Sequence, residues 1–241
     1  MEVINTLLEY KNMKIIQDSK MFSFSLDSIL LPNFVTLNPT VKKILDIGCG
    51  NGPIPLILST KTKAKIIGVE YQEKVADMAY RSIKLNNLES QIQIIHADIN
   101  ELYHTMESDC FDVITCNPPY FKVNADSKLN LSDYKSIARH ELTLNIEQVC
   151  KISKKLLKNG GVLAIVHRPE RLCDIIQVMQ KNNLEPKKIQ FIYPKKDKEA
   201  NILLIEAVKN GKASIKILPP IYSHYENGEY SDIIKKYFKE G

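Results

Sequence analysis

From Lys42 onward, short apolar runs alternate with stretches in which apolar residues return every third or fourth position. Runs of strand length lie at 43–47, 65–70, 92–96, 111–116, 161–167, 188–193 and 201–208. Between them Val75, Ala79 and Ile83, and later Leu172, Ile175, Ile176 and Met179, carry the spacing of one helix face. This alternation predicts an α/β fold, a mostly parallel seven-stranded sheet with crossover helices on both faces. Asn159-Gly160-Gly161 predicts the end of one helix ahead of its strand. The turn Lys195-Lys196-Asp197 predicts a hairpin that brings one antiparallel strand into the sheet.

Residues 1–40 precede this pattern and form an extension to a domain spanning 41–241. Within it, Met21-Phe22-Ser23-Phe24-Ser25-Leu26 alternates large apolar residues with serine, which predicts a half-buried strand. Asp27 is the expected N-cap of a short helix through Ser28-Ile29-Leu30-Leu31, bent at Pro32 because an internal proline removes a hydrogen bond.

Composition narrows the class without choosing the function. A chain of 241 residues, 44% hydrophobic and 25% charged, suits one sizeable α/β domain with its extension. The five cysteines are scattered and form no C-x-x-C pair, so neither a metal site nor a disulfide framework is expected, and they read as reduced thiols. Met1 to Tyr10 carries acids and lacks a basic segment followed by an apolar one, and no apolar run approaches spanning length. The expectation is a cytoplasmic, monomeric protein with no membrane partner. A net charge of +5 permits a polyanionic partner without demonstrating one. Lys151, Lys154, Lys155 and Lys158 would share one helix face, either a solvated surface or a phosphate-binding ridge.

Chemistry enters at Asp46-Ile47-Gly48-Cys49-Gly50-Asn51-Gly52, between a strand run and the helix-like Ile54-Pro55-Leu56-Ile57-Leu58. Glycines at a strand-to-helix elbow let the backbone approach a ligand closely. A dinucleotide fingerprint, G-x-G-x-x-G, would place a pyrophosphate on the helix N-terminus. Here the spacing is G-x-G-x-G followed by Pro53 and Pro55, which remove donors a phosphate would use while leaving the helix start well tolerated. The turn therefore suits a ligand without phosphate. S-adenosyl-L-methionine (SAM) is one, and the pattern resembles motif I of Rossmann-like class I SAM-dependent methyltransferases. The candidate cofactor residues of the turn are Asp46, Gly48, Gly50, Asn51 and Gly52.

Ligands of open parallel sheets bind at the carboxyl ends of the strands. Glu70, ending one strand run, is placed to accept hydrogen bonds from ribose hydroxyls, and Asp98, just past another, from an adenine amino group. The 21–31 segment is read as a partial lid, with Phe24 and Asp27 toward the cofactor.

The run 111–116 leads into Asn117-Pro118-Pro119-Tyr120, which resembles motif IV of enzymes that methylate planar NH2 groups. The lone pair of a conjugated amine is delocalised and weakly nucleophilic. The Asn117 side-chain oxygen and the Pro118 carbonyl supply two acceptors for its hydrogens, and the prolines stiffen the backbone presenting them. Tyr120 offers a ring on which a flipped base can stack. Asn117, Pro118 and Tyr120 are the candidate catalytic residues. The long segment 121–144 carries Lys122, Lys128, Lys135 and Arg139-His140-Glu141, and target selection is assigned to it, with Lys122, Arg139 and His140 beside an RNA substrate.

The chain is similar over nearly its whole length to the bacterial tRNA(Val) adenine-N6 methyltransferase family. The resemblance rests on Phe24 to Leu31, Asp46 to Gly52, Asn117 to Tyr120, Ala138 to Glu141, Pro220-Ile221-Tyr222 and Gly228-Glu229-Tyr230-Ser231. It implies methylation of the adenosine 3′ of the anticodon, SAM bound by Asp46, Gly48, Gly50, Glu70 and Asp98, the base held by Asn117 and Tyr120, and Arg139 near the RNA. A glutamine-N5 methyltransferase acting on a release factor shares only the core pattern and usually has a larger helical N-terminal domain. DNA adenine methylation is disfavoured by the lack of a separate target-recognition domain, and a non-catalytic SAM- and RNA-binding protein by the intact Asn117 to Tyr120.

Overall fold

The computed structural model describes residues 1–9, 12–18, 25–118 and 144–239. Its central sheet contains β3 (Lys43–Ile47), β4 (Lys65–Glu70), β5 (Ile92–His96), β6 (Phe111–Cys116), β7 (Leu157–His167), β8 (Leu184–Tyr193) and β9 (Ile202–Lys209), in the order β5-β4-β3-β6-β7-β9-β8. β9 lies antiparallel between β7 and β8, as the Lys195-Lys196-Asp197 turn predicts, and the other neighbouring pairs are parallel. Two short strands that the apolar pattern does not announce, β10 (Lys216–Ile217) and β11 (Ile221–Tyr222), add to the β8 edge.

The chain leaves β3 for β4 and β5 on one side, then returns to β6 on the other. That reversal puts a crevice between the carboxyl ends of β3 and β6, where open α/β sheets bind ligands.

Strand side chains alternate between two apolar layers. Ile44, Ile66, Val113 and Leu204 meet α1 (Leu26–Phe34), α2 (Pro53–Lys61) and α3 (Glu73–Leu85) on one face. Leu45, Val69, Ile114 and Leu163 meet α4 (Ile99–Thr105), α5 (Ile146–Leu156) and α6 (Leu172–Lys181) on the other. The period-2 and period-3.6 patterns therefore meet in two continuous cores, one on each side of the sheet. The C-terminal helix α7 (Asp232–Lys239) packs on α1 and on the N-terminal hairpin.

That hairpin, β1 (Glu2–Leu8) with β2 (Met13–Asp18), has no counterpart in the sequence pattern. The free edge of β2 is completed by side chains instead of by a third strand. The Asn86 side chain bonds both the N–H and the carbonyl of Lys14, Ser82 Oγ accepts from the Ile16 N–H, and Asn51 Nδ2 donates to the Ile16 carbonyl. Each of those backbone groups would otherwise be stranded against α3.

Two local expectations are corrected. Ser25, in extended conformation, occupies the N-cap of α1, and Asp27 lies inside the first turn, while Leu26 is helical rather than extended. Residues 21–24 of the predicted strand fall outside the described residues. α1 runs through Pro32 to Phe34, and the Val35 N–H donates to the Leu31 carbonyl. Finally, α5 ends at Leu156, and Asn159-Gly160-Gly161 lies within β7 at an irregularity in its pairing with β6. Gly160 has φ +77°, and a Cβ on Gly161 would stand 2.8 Å from the Lys158 carbonyl oxygen, so both glycines serve this bulge. Lys158 consequently leaves the helix face and pairs with Asp112, and Lys155 caps the Tyr103 and His104 carbonyls.

Candidate active site

The glycine turn is held from beneath by β4. The N–H groups of Gly48 and Cys49 both donate to the Val69 carbonyl, and the Gly52 N–H donates to the Cys49 carbonyl. Gly48, Gly50 and Gly52 have φ of +67°, +56° and +91°, conformations that a side chain would strain. A Cβ on Gly50 would meet nothing within 4 Å among the described residues. At Gly68 the constraint is contact instead: a Cβ there would lie 2.9 Å from both Cys49 Sγ and Ile94 Cδ1. Pro53 starts α2 directly after Gly52.

Glu70 clamps this turn to the next one. Its Oε2 accepts from the Gly50 N–H at 3.0 Å and its Oε1 from the Gln72 N–H at 2.9 Å. Asp98 stands at the end of β5, where its Oδ1 accepts from the Asn100 N–H and caps α4.

Asp46 is wholly buried. Its Oδ1 accepts from Thr115 Oγ1 at 2.6 Å across the β3–β6 pair, and its Oδ2 has no hydrogen-bond partner among the described residues. Burial, opposed by the Thr115 bond and reinforced by the Glu70 charge, pushes its carboxyl up to about 7. A buried orphan oxygen calls for a donor, and its position just ahead of the glycine turn suits a cation or N–H from a bound ligand.

Asn117 is the first residue beyond β6, across the crevice from the turn, and Pro118 follows it. The N-terminal turn of α1 lies alongside: Ser28 is buried, and its Oγ stands 3.5 Å from Asn117 Nδ2. Asp27, one residue earlier, is also buried. Asn51 is brought to the turn, but its side-chain amide is directed to the N-terminal hairpin.

The structure thus gathers Asp46, Gly48, Gly50, Gly52, Glu70, Asp98, Asn117 and the start of α1 at one end of the sheet. Phe24, Pro119, Tyr120, Lys122, Arg139 and His140 lie outside the described residues. Two residues at the site carry no sequence signal of their own. Thr115 is hidden as the one hydroxyl in the apolar run of β6, and Ser28 reads as an ordinary helix-start serine. Among the described residues no group of three His, Cys, Asp or Glu side chains could hold a metal ion, and no helix is long and apolar enough to cross a membrane.

Residues 40–217 match the model of a family described as a methyltransferase domain. The chain is 26% identical over 237 residues to a tRNA1(Val) (adenine(37)-N6)-methyltransferase of Parabacteroides distasonis, covering 97% of this chain and 98% of that one. A protein of the same name from Aliivibrio salmonicida is 27% identical over 218 residues, 88% and 87% of the two chains. Among solved structures, a predicted O-methyltransferase from Agrobacterium tumefaciens superposes with a TM-score of 0.69 at 20% identity, covering 88% of this chain and 94% of that one. A geranyl diphosphate C-methyltransferase from Streptomyces coelicolor, solved with S-adenosyl-L-homocysteine, gives 0.57 at 12% identity over 76% and 79%.

Proposed function

The chain belongs to the methyltransferase domain family, and on that premise we propose that it methylates the exocyclic N6 amine of an adenosine in tRNA, using SAM. The target is the adenosine 3′ of the anticodon of tRNA(Val), position 37 in the names of its relatives. The observation that carries this reading is Asn117-Pro118 at the end of β6, next to the glycine turn that follows β3, at the strand-order reversal.

When bound, SAM supplies an electrophilic methyl group on a sulfonium. The protein's part is placement. Glu70 and Asp98, fixed by their backbone N–H partners, keep lone pairs that would accept from ribose hydroxyls and an adenine amine, and Asp46 Oδ2 would accept a hydrogen bond from a cationic N–H group. The Asn117 side-chain oxygen accepts one amine hydrogen and the Pro118 carbonyl the other, and the Ser28 hydroxyl beside Asn117 Nδ2 helps to orient the amide. Two acceptors on its hydrogens favour a pyramidal nitrogen, whose lone pair is no longer delocalised into the ring. No strong base is needed, since the amine becomes acidic only as the methyl arrives. Tyr120 stacks on the target base, Lys122, Arg139 and His140 contact the RNA, and Phe24 and Asp27 belong to a lid formed by residues 1–40 over a catalytic domain of 41–241. The protein works as a cytoplasmic monomer.

The test is transfer of labelled methyl from SAM to unmodified tRNA and, separately, to a release factor, by wild type and Asn117→Ala. N6-methyladenosine made by wild type and reduced about 10² to 10³-fold in the variant, with SAM affinity retained, is the expected result. Methylglutamine without modified adenosine would overturn it.

A further inference from the structure

At the opposite end of the sheet, where β3 and β4 begin, a cleft of about 600 Å³ opens between the loop after α1 and the C-terminus of α2. Its lining includes Lys42, Lys61, Lys63 and Lys65, together with hydroxyl groups such as Thr62, and, among the described residues, no aspartate or glutamate. β3 has five residues, so at about 3.3 Å each the cleft lies roughly 17 Å from the glycine turn. It is not part of the candidate active site.

Its walls are fixed. The Lys42 N–H donates to Asp112, the Lys65 N–H donates to the Lys42 carbonyl, and Gln91 Nε2 donates to the carbonyls of Thr62 and Ala64. Lys65 Nζ donates to the Ser90 carbonyl at 2.5 Å. Lys42, Lys61 and Lys63 have no carboxylate partner among the described residues. Lys61 is the telling member, because it is half-buried and burial lowers its ammonium pKa. It sits in the last turn of α2, whose dipole offers only about half a negative charge against four ammonium groups. A half-buried ammonium without an anion is costly, and surface lysines normally avoid it by extending into water.

We propose that this cleft is a phosphate-binding site, with Lys61 at its centre and Lys42 and Lys63 at its rim. The ammonium groups act as point charges on a phosphate, the role for which lysine is suited. The phosphate comes either from a free anion or from a stretch of RNA backbone away from the methylated base. The proposal does not depend on the methyl-transfer reading.

The test compares wild type, Lys61→Met/Lys63→Gln, and Lys151→Gln/Lys154→Gln, a control of equal charge change on the exposed face of α5. Inorganic pyrophosphate and bulk tRNA are titrated separately at low salt by calorimetry, with thermal melts of each protein. The first double variant should lose about tenfold or more in affinity for pyrophosphate, the scale of one charge-assisted hydrogen bond, while melting no lower than wild type. If wild type does not bind pyrophosphate, loss of affinity for tRNA with a salt dependence shallower by one or two charges supports the same site and assigns the phosphate to RNA. Equal losses in the control pair, or no loss in either titration, would overturn the proposal.

Discussion

Replacing Asp46 with asparagine should make the ligand-free protein more stable while damaging the site it serves. The carboxyl is wholly buried, and its rise from an ordinary value of 3.8 to about 7 corresponds to about 4 kcal/mol at 1.36 kcal/mol per tenfold change in proton affinity. The sign follows from linkage. Below about pH 4 both folded and unfolded chains hold the proton and the group is neutral in its effect. As pH rises toward 7 the unfolded chain releases the proton first, so stability is lost across that window and stays lost above it. The asparagine side chain would keep the acceptor for Thr115 and carry no charge, but its NH2 group would need an acceptor where Oδ2 now has no partner, at a cost of about 1 kcal/mol. The net expectation for Asp46→Asn is a gain of roughly 1 to 3 kcal/mol at pH 8, shrinking by about 2 to 3 kcal/mol on going to pH 5. Urea unfolding of the ligand-free proteins at both values, with SAM titrations at pH 8, reads this directly. A variant no more stable than wild type at pH 8, or a difference that does not change with pH, would refute the claim that this carboxylate is held at an energetic cost for a ligand. Undiminished SAM binding would refute its role there.

Two further substitutions test the supports of the site. Ser28→Ala removes the hydroxyl beside Asn117 Nδ2 and should lower kcat several-fold, on the order of 1 kcal/mol, with KM for tRNA little changed; a change confined to KM would argue against a positioning role. Gly68→Ala puts a Cβ 2.9 Å from Cys49 Sγ, so it should destabilise the protein by about 1 to 3 kcal/mol and weaken SAM binding by shifting the turn, measured by melting and calorimetry. A normal SAM affinity in that variant would show that β4 does not set the turn's position.

The legible parts of the fold are those where one periodicity holds over a whole element. β3 to β6 begin and end where their apolar runs do, and the antiparallel β9 follows from a turn of polar residues. The helix end at Leu156 is not legible, because a glycine pair can close a helix or serve a bulge, and only the register against β6 separates the two. The β1–β2 hairpin is hidden for a different reason: β2 is stabilised by side chains of Asn51, Ser82 and Asn86, and no local pattern announces contacts so distant in sequence. The placement of the glycines, Glu70, Asp98 and Asn117 at the carboxyl ends of β3 to β6 is readable from the apolar runs that precede them. Position in the turn points Asn51 at the cofactor, whereas its side chain faces the hairpin.

That same hairpin sets an order of events during synthesis. β1 and β2 leave the ribosome before α3, and Lys14 and Ile16 cannot satisfy their outer backbone groups until Ser82 and Asn86 have been made, 66 and 72 residues later. Closing loops of that length adds little to the entropic cost but delays the contact. The Asn51 bond to Ile16 then forms within the same docking step, so the glycine turn acquires its final support only when the chain's beginning has been captured by α3. A nascent chain released before α3 is complete would carry every residue of motif I and still lack the support that the hairpin gives to the turn.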